Sequence, residues 1–137
     1  MNLSEYFKKT KGLGVLSTAD RSGHVDTAIY ATPHILDDHH VAFIMAERKS
    51  HENLKSNPHA AYLFKESGSG YSGLRLYLKK TEEEKNSERL RSLIRRKSYE
   101  QKEGGEDENL YLVSFRVEKI LGLTGSGKCP VTTGGEE

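Results

Sequence analysis

Apolar residues recur at every second position through much of this chain, in runs separated by short polar turns. Residues 13–18 read as a first strand, and Ala19–Gly23 (ADRSG) as a turn. Residues 24–36 (HVDTAIYATPHIL) alternate around Val25, Thr27 and Ile29, with Pro33 marking an edge or a bend. Asp37–His40 makes a polar hairpin turn. Val41–Ala46 is apolar throughout, the pattern of a strand buried on both faces. Residues 60–65 (AAYLFK) and 74–80 (LRLYLKK) follow as strands across a Gly- and Ser-rich loop, and residues 110–124 as one or two more.

Three helices punctuate the strands. The first covers residues 2–10, capped by Asn2 or Ser4. A short one is capped by Ser50 and ended by Pro58. The third opens on the Thr81/Glu84 capping-box pattern and runs to Lys97 with Leu90, Leu93 and Ile94 on one stripe. An acidic loop over 98–109 and a loosely held Gly-rich tail from about 124 complete the chain. Six or seven strands joined by brief turns, without strand–helix alternation, predict a mainly β protein. The expected architecture is an antiparallel barrel with peripheral helices, in one domain over residues 1–137.

Composition narrows the setting. Hydrophobic residues are 34% and charged residues 30%, which suits a domain that shares apolar surface with a partner. The net charge of +1 gives no general pull toward nucleic acid or anionic membranes. The longest apolar run, Val41–Ala46, is far below the roughly 20 residues of a membrane helix. No secretory signal is read at the start, and the lone Cys129 excludes an intrachain disulfide, so a cytoplasmic setting is expected.

The segment that carries chemistry is Ile44–Leu54, where a buried strand hands over to a short helix through Arg48, Lys49 and Ser50. First-turn amides and the helix dipole favour an anion. Arg48 adds a forked donor, Lys49 a point charge and Ser50 a hydroxyl. Adjacent basic pairs also occur at Lys8-Lys9, Lys79-Lys80, Arg95-Arg96 and Arg96-Lys97, so the doublet alone means little. A solvated helix start is the alternative.

Other signals carry less. Gly122–Lys128 has P-loop spacing, but Cys129 replaces the required Ser or Thr and Pro130 forbids the following helix. The six histidines, His24, His34, His39, His40, His51 and His59, lack metal-site spacing and read as exposed or locally bonded, so no metal is expected. Cys129 reads as a flexible, exposed thiol. The basic residues Arg89, Arg91, Arg95, Arg96 and Lys97 read as a solvated helix face.

Residues 24–64 resemble the FMN-binding split barrel of the pyridoxamine 5'-phosphate oxidase-like proteins. Gly23, Val41–Met45, Arg48-Lys49-Ser50, Asn53-Leu54, Asn57-Pro58 and Ala60–Phe64 match that family in order and spacing, and the likeness extends over about residues 12–80. The resemblance implies an FMN cofactor whose phosphate is bound by Arg48, Lys49 and Ser50. Asn53 would steady the helix or reach the ribityl chain. Asp26, Thr27, Ala28 and Ile29 would run beside the isoalloxazine ring, partly through backbone groups. Ile44 and Met45 would offer backbone donors to its pyrimidine edge. It also implies a homodimer with the flavin at the interface, where residues near Ser72 and Gly73 could come from the second subunit.

Two departures bear on activity. Ala28 stands where pyridoxamine phosphate oxidases carry a further phosphate-binding Arg, and the chain ends in TTGGEE in place of their basic C-terminal motif. The expected function is therefore an FMN-dependent oxidoreductase other than a pyridoxamine-phosphate oxidase. A non-catalytic flavin- or haem-binding module of the same fold is the alternative, and a partner-binding protein acting through its basic helix is a third reading. No acid–base residue stands out as catalytic.

Overall fold

A computed structural model of the chain describes residues 1–97, 109–125 and 128–131. Its strands are β1 (Gly12–Ala19), β2 (Val25–Ile29), β3 (His34–Asp37), β4 (His40–Ala46), β5 (His59–Glu66), β6 (Gly73–Lys85) and β7 (Leu110–Gly122). The helices are α1 (Leu3–Lys9), α2 (Lys49–Ser56) and α3 (Glu88–Lys97). All strands join one antiparallel sheet in the order β2-β1-β5-β6-β7-β4-β3, as the alternation predicts. Pro33 lies between β2 and β3, splitting the run read from residues 24–36.

The sheet curls around a core rich in aromatic rings. Tyr62, Phe64, Leu74, Leu76, Leu78, Val113 and Phe115 are buried inside it. Phe43 of β4 packs its ring 5.0 Å from Tyr62, 6.0 Å from Phe115 and 5.8 Å from Tyr30, centroid to centroid. Tyr30 follows β2, at the opposite end of the strand order from β4, so its contact with Phe43 is where the curled sheet meets itself. The Tyr62 hydroxyl ties the same point, donating to the carbonyls of Tyr30 and Ala31 at 3.3 and 3.2 Å. At one end α1 sets Phe7 against Phe64 and Tyr62. Asn2 caps that helix in a reciprocal pair with Glu5.

The uniformly apolar β4 has its cause in a second layer. Val41, Phe43 and Met45 point into the barrel, whereas Ala42 and Ile44 join Leu90, Leu93, Ile94, Leu110 and Leu112 under α3. Neither face of β4 meets water, so neither can be polar.

Several boundaries differ from the sequence reading. Thr81 does not cap a helix. β6 continues to Lys85 because β7 offers it backbone partners, pairing Glu82 with Ser114 and Lys85 with Tyr111. Asn86 then turns the chain through the left-handed region (φ 49°), and the Ser87 hydroxyl accepts from the Leu90 amide at the start of α3. Nor does Ser50 cap α2. Arg48 holds the cap position in extended conformation, which carries Ser50 into the first turn, where it is buried. Cys129 is half-buried against the core and bonded to the Val131 carbonyl at 3.1 Å, and Val131 is itself buried, so this part of the tail is docked. The expected loop over 98–108, the rest of the tail and the side chains of Arg95, Arg96 and Lys97 lie outside the described residues.

Gly14 permits the closure at Tyr30. A Cβ there would fall on the Tyr62 hydroxyl and the Tyr30 carbonyl, both fixed by the buried tie. Gly14→Ala is expected to cost about 2 kcal/mol or more in urea unfolding. Gly125→Ala, which meets open space, should stay within about 0.5 kcal/mol.

Candidate functional site

The curled sheet leaves a seam. β2 pairs only with β1, and β3 ends opposite Ala42, so among the described residues β4 from Phe43 to Ala46 is paired on its β7 side alone. Two stretches of backbone edge therefore carry groups that a planar, polar-rimmed ligand can bond. At one end of the seam lies α2, in contact with β1, β2 and β4.

Side chains on the inner face of α2 fix its position. Asn53 is 1% exposed, and its amide donates to Thr18 Oγ1 at 3.0 Å. Thr18 lies opposite Asp26 in the β1–β2 ladder, so Asn53 holds the helix beside the start of β2. Asn57 donates to the Asp20 carbonyl at 3.3 Å and accepts from the His59 amide. Leu54 fills the core between them.

The first turn presents the charge. Arg48 and Lys49 are exposed, and Arg48 adds no side-chain cap, so the leading amides of α2 lack the partner that a capping hydroxyl or carboxylate supplies. Ser50 instead hydrogen-bonds the Tyr30 hydroxyl. Burial pushes that phenol above its ordinary pKa. The Ser50 bond and the Arg48 charge oppose the shift, and the nearby Asp26 charge adds to it. The neighbourhood thus joins Asp26, Tyr30, Arg48 and Ser50 at the mouth of the seam.

The structure separates the remaining candidates by face. Asp26 and Ala28 are half-buried on the side of β2 that faces inward, whereas Thr27 and Ile29 point to the outer face of the sheet. Met45 is buried in the core and Ile44 packs under α3, so these two reach the seam only through backbone. Ser72 and Gly73 lie at the β5–β6 hairpin, at the far end of β5 from α2, and one subunit does not bring them to this turn.

Sequence reasoning missed Tyr30 and Thr18, although both continue the inward period of their strands. It also misplaced His51. That ring is 1% exposed, stacks on Tyr111 at 3.9 Å and lies 3.1 Å from Glu83 through Nε2. Glu83 had been assigned to a helix, so the pairing was unreadable. Turn histidines do bond locally, His24 to Asp20 and His40 to Asp37. The described residues hold no group of three or more potential metal-ligating side chains, and no described helix is long and apolar enough to cross a membrane.

No family model and no curated protein sequence matches the chain. Solved structures do. An FMN-binding protein from Syntrophomonas wolfei superposes with a TM-score of 0.72 at 18% identity, over 85% of this chain and 80% of that one. A putative pyridoxamine 5'-phosphate oxidase from Lactobacillus delbrueckii gives 0.63 at 17%, over 84% and 86%. HutZ, a haem storage protein from Vibrio cholerae, gives 0.61 at 14%, over 89% and 95%. The chain has the split-barrel fold of the FMN-binding, pyridoxamine 5'-phosphate oxidase-like proteins. The same fold includes a haem-storage protein, so fold alone does not choose the ligand.

Glu83 makes acid stability a probe of this region. Burial alone would raise its carboxyl, but hydrogen bonds from Lys80 and His51 outweigh that and hold it below the ordinary carboxylate range. A depressed folded pKa stabilises the protein above the unfolded value and loses that contribution as pH falls. Thermal stability should therefore drop below about pH 4.5, and drop less steeply in Glu83→Gln. Identical acid limbs would rule out this contribution.

Proposed function

We propose that this protein binds FMN, with the phosphate held at the first turn of α2 by Arg48, Lys49 and the leading amides, and the flavin ring along the seam between β2 and β4. The observation that carries this reading is an uncapped helix start with two exposed cations, set at the end of two unpaired strand edges. The donor set fits the group: phosphate oxygens accept from a guanidinium, an ammonium and backbone N–H, and the pyrimidine edge of a flavin matches strand backbone. Ser50 is engaged with Tyr30, so its contribution is shared with that phenol. Asn53 is committed to Thr18 and serves the ligand by fixing α2.

Bound FMN would supply hydride and single-electron chemistry at its ring, while the chain supplies binding and orientation. We assign an oxidoreductase on that basis, in the cytoplasm, acting on a substrate other than pyridoxamine phosphate, since Ala28 removes one phosphate ligand that such oxidases use. Absorbance of the purified protein separates the readings. Flavin bands support it, whereas a Soret band would establish the haem-binding alternative that the likeness to HutZ keeps open.

The outer sheet face suits a second copy of the chain. Ile29, Val15 and Leu63 form one row across β2, β1 and β5, flanked by Val25, Leu13 and Tyr77. Val25 and Ile29 are 77% and 71% exposed, far more than isolated apolar residues in a row require. A homodimer that covers this face would also bring a second subunit's loops toward β2.

Two measurements test the reading. Arg48→Ala with Lys49→Ala should weaken FMN by about a hundredfold or more in a fluorescence titration and leave riboflavin, which lacks the phosphate, little changed. Equal losses for both ligands would mean the phosphate lies elsewhere. Val25→Glu with Ile29→Glu should convert a dimer to a monomer in sedimentation. A wild-type monomer at FMN saturation would refute the dimer.

A further inference from the structure

Beside the exposed cations of α2 sits a buried, titratable ring that the proposed function does not use. His51 is the third residue of the helix and is 1% exposed. Tyr111 stacks on it with an interplanar angle of 22°, and Nε2 lies 3.1 and 3.3 Å from the two oxygens of Glu83. Lys80 bonds the same carboxylate at 2.9 Å. An ionised carboxylate only accepts, so Nε2 carries a proton and the titrating atom is Nδ1. That atom is buried and has no hydrogen-bond partner. The residue also lines an open cleft of about 390 Å³ together with Arg48, Lys49 and Lys55.

An unpartnered buried ring nitrogen costs about 1–3 kcal/mol, which a ligand can relieve. We infer that His51 is the pH-dependent member of this anion site, donating from Nδ1 to a phosphate-class group when protonated and opposing it when neutral. In the imidazolium both nitrogens donate, one to Glu83 and one toward the cleft. In the neutral ring Nδ1 turns a lone pair toward any bound oxygen anion.

The surrounding charges let this one proton matter. From β6 come Glu83 and Lys80. Tyr111, from β7, faces Glu47 and has Lys85 6.0 Å from its ring centroid. On α2 itself, Glu52 and Lys55 line the cleft, and Lys55 lies 4.0 Å from Glu47. The three carboxylates (Glu47, Glu52, Glu83) balance the three ammoniums (Lys55, Lys80, Lys85). The net charge is therefore set by Arg48, Lys49 and the imidazole.

The inference rests on phosphate binding at α2, and its test separates the two. FMN and riboflavin affinities of the full chain are compared from pH 5.5 to 8.5 in wild type, His51→Gln and Glu83→Gln. The ligand's own titration is common to all three. The preference for FMN over riboflavin should fall about tenfold more across this range in wild type than in His51→Gln. In Glu83→Gln the fall should centre about one pH unit lower or more, because the imidazolium loses its counter-charge. By linkage, inorganic phosphate should raise the His51 midpoint seen by ring-proton NMR in wild type, a reading that needs no variant. Superimposable pH profiles for wild type and His51→Gln, or a His51 midpoint that phosphate does not move, would overturn the inference. A wild type with no preference for FMN at any pH would overturn the phosphate assignment beneath it.

Discussion

Tyr62 holds the two ends of the sheet together, and the site depends on that tie. Its ring packs on Phe43 from one end of the strand order, and its hydroxyl bonds the carbonyls of Tyr30 and Ala31 from the other. Seven strands curled around one aromatic core do not close by backbone pairing in this fold. They close by a side chain, which fixes the width of the seam while leaving strand edges beside it unpaired. Burial of the Tyr62 phenol pushes its pKa well above the ordinary tyrosine value, so the hydroxyl keeps its proton as a donor. Gly14 is the counterpart of this tie, the one place on β1 where a side chain would displace it.

Helix α2 turns the seam into a candidate binding site. It is too short to be stable alone, and its position comes from tertiary anchors on each flank. Asn53 and Asn57 bind it to β1 and the turn after it, Ser50 to Tyr30, and His51 to β6 and β7. These anchors occupy the polar groups that face the protein. What remains outward is a helix start with two cations, and that division of labour is the physical basis for reading Arg48 and Lys49 as ligand-directed and Asn53 as supporting.

Much of the fold was legible because period two survives in the sequence wherever one face of a strand meets water. Residues 60–65 and 74–80 show it, as does β2, and the continuous run of β4 correctly signals two buried faces. The errors share a cause. Thr81 and Glu84 fit a capping box locally, yet a neighbouring strand remote in sequence supplies backbone partners for Glu82–Lys85, and ladder pairing overrides the local signal. That error hid Glu83 from His51. Ser50 looked like a cap for the same reason: the junction between β4 and α2 is set by the extended Arg48, which composition does not reveal. The outward direction of Thr27 and Ile29 follows from the strand's own alternation. The docking of Cys129 and Val131 does not, since a Gly-rich tail carries no period.

The central claim is a location: an anionic cofactor tail bound where β4 gives way to α2. A crystal structure of the protein grown with excess FMN tests it directly. The account predicts the phosphate within hydrogen-bond distance of Arg48, Lys49 and the first-turn amides of α2, with the ring lying between β2 and β4. FMN bound at another surface with this corner open to solvent would contradict it.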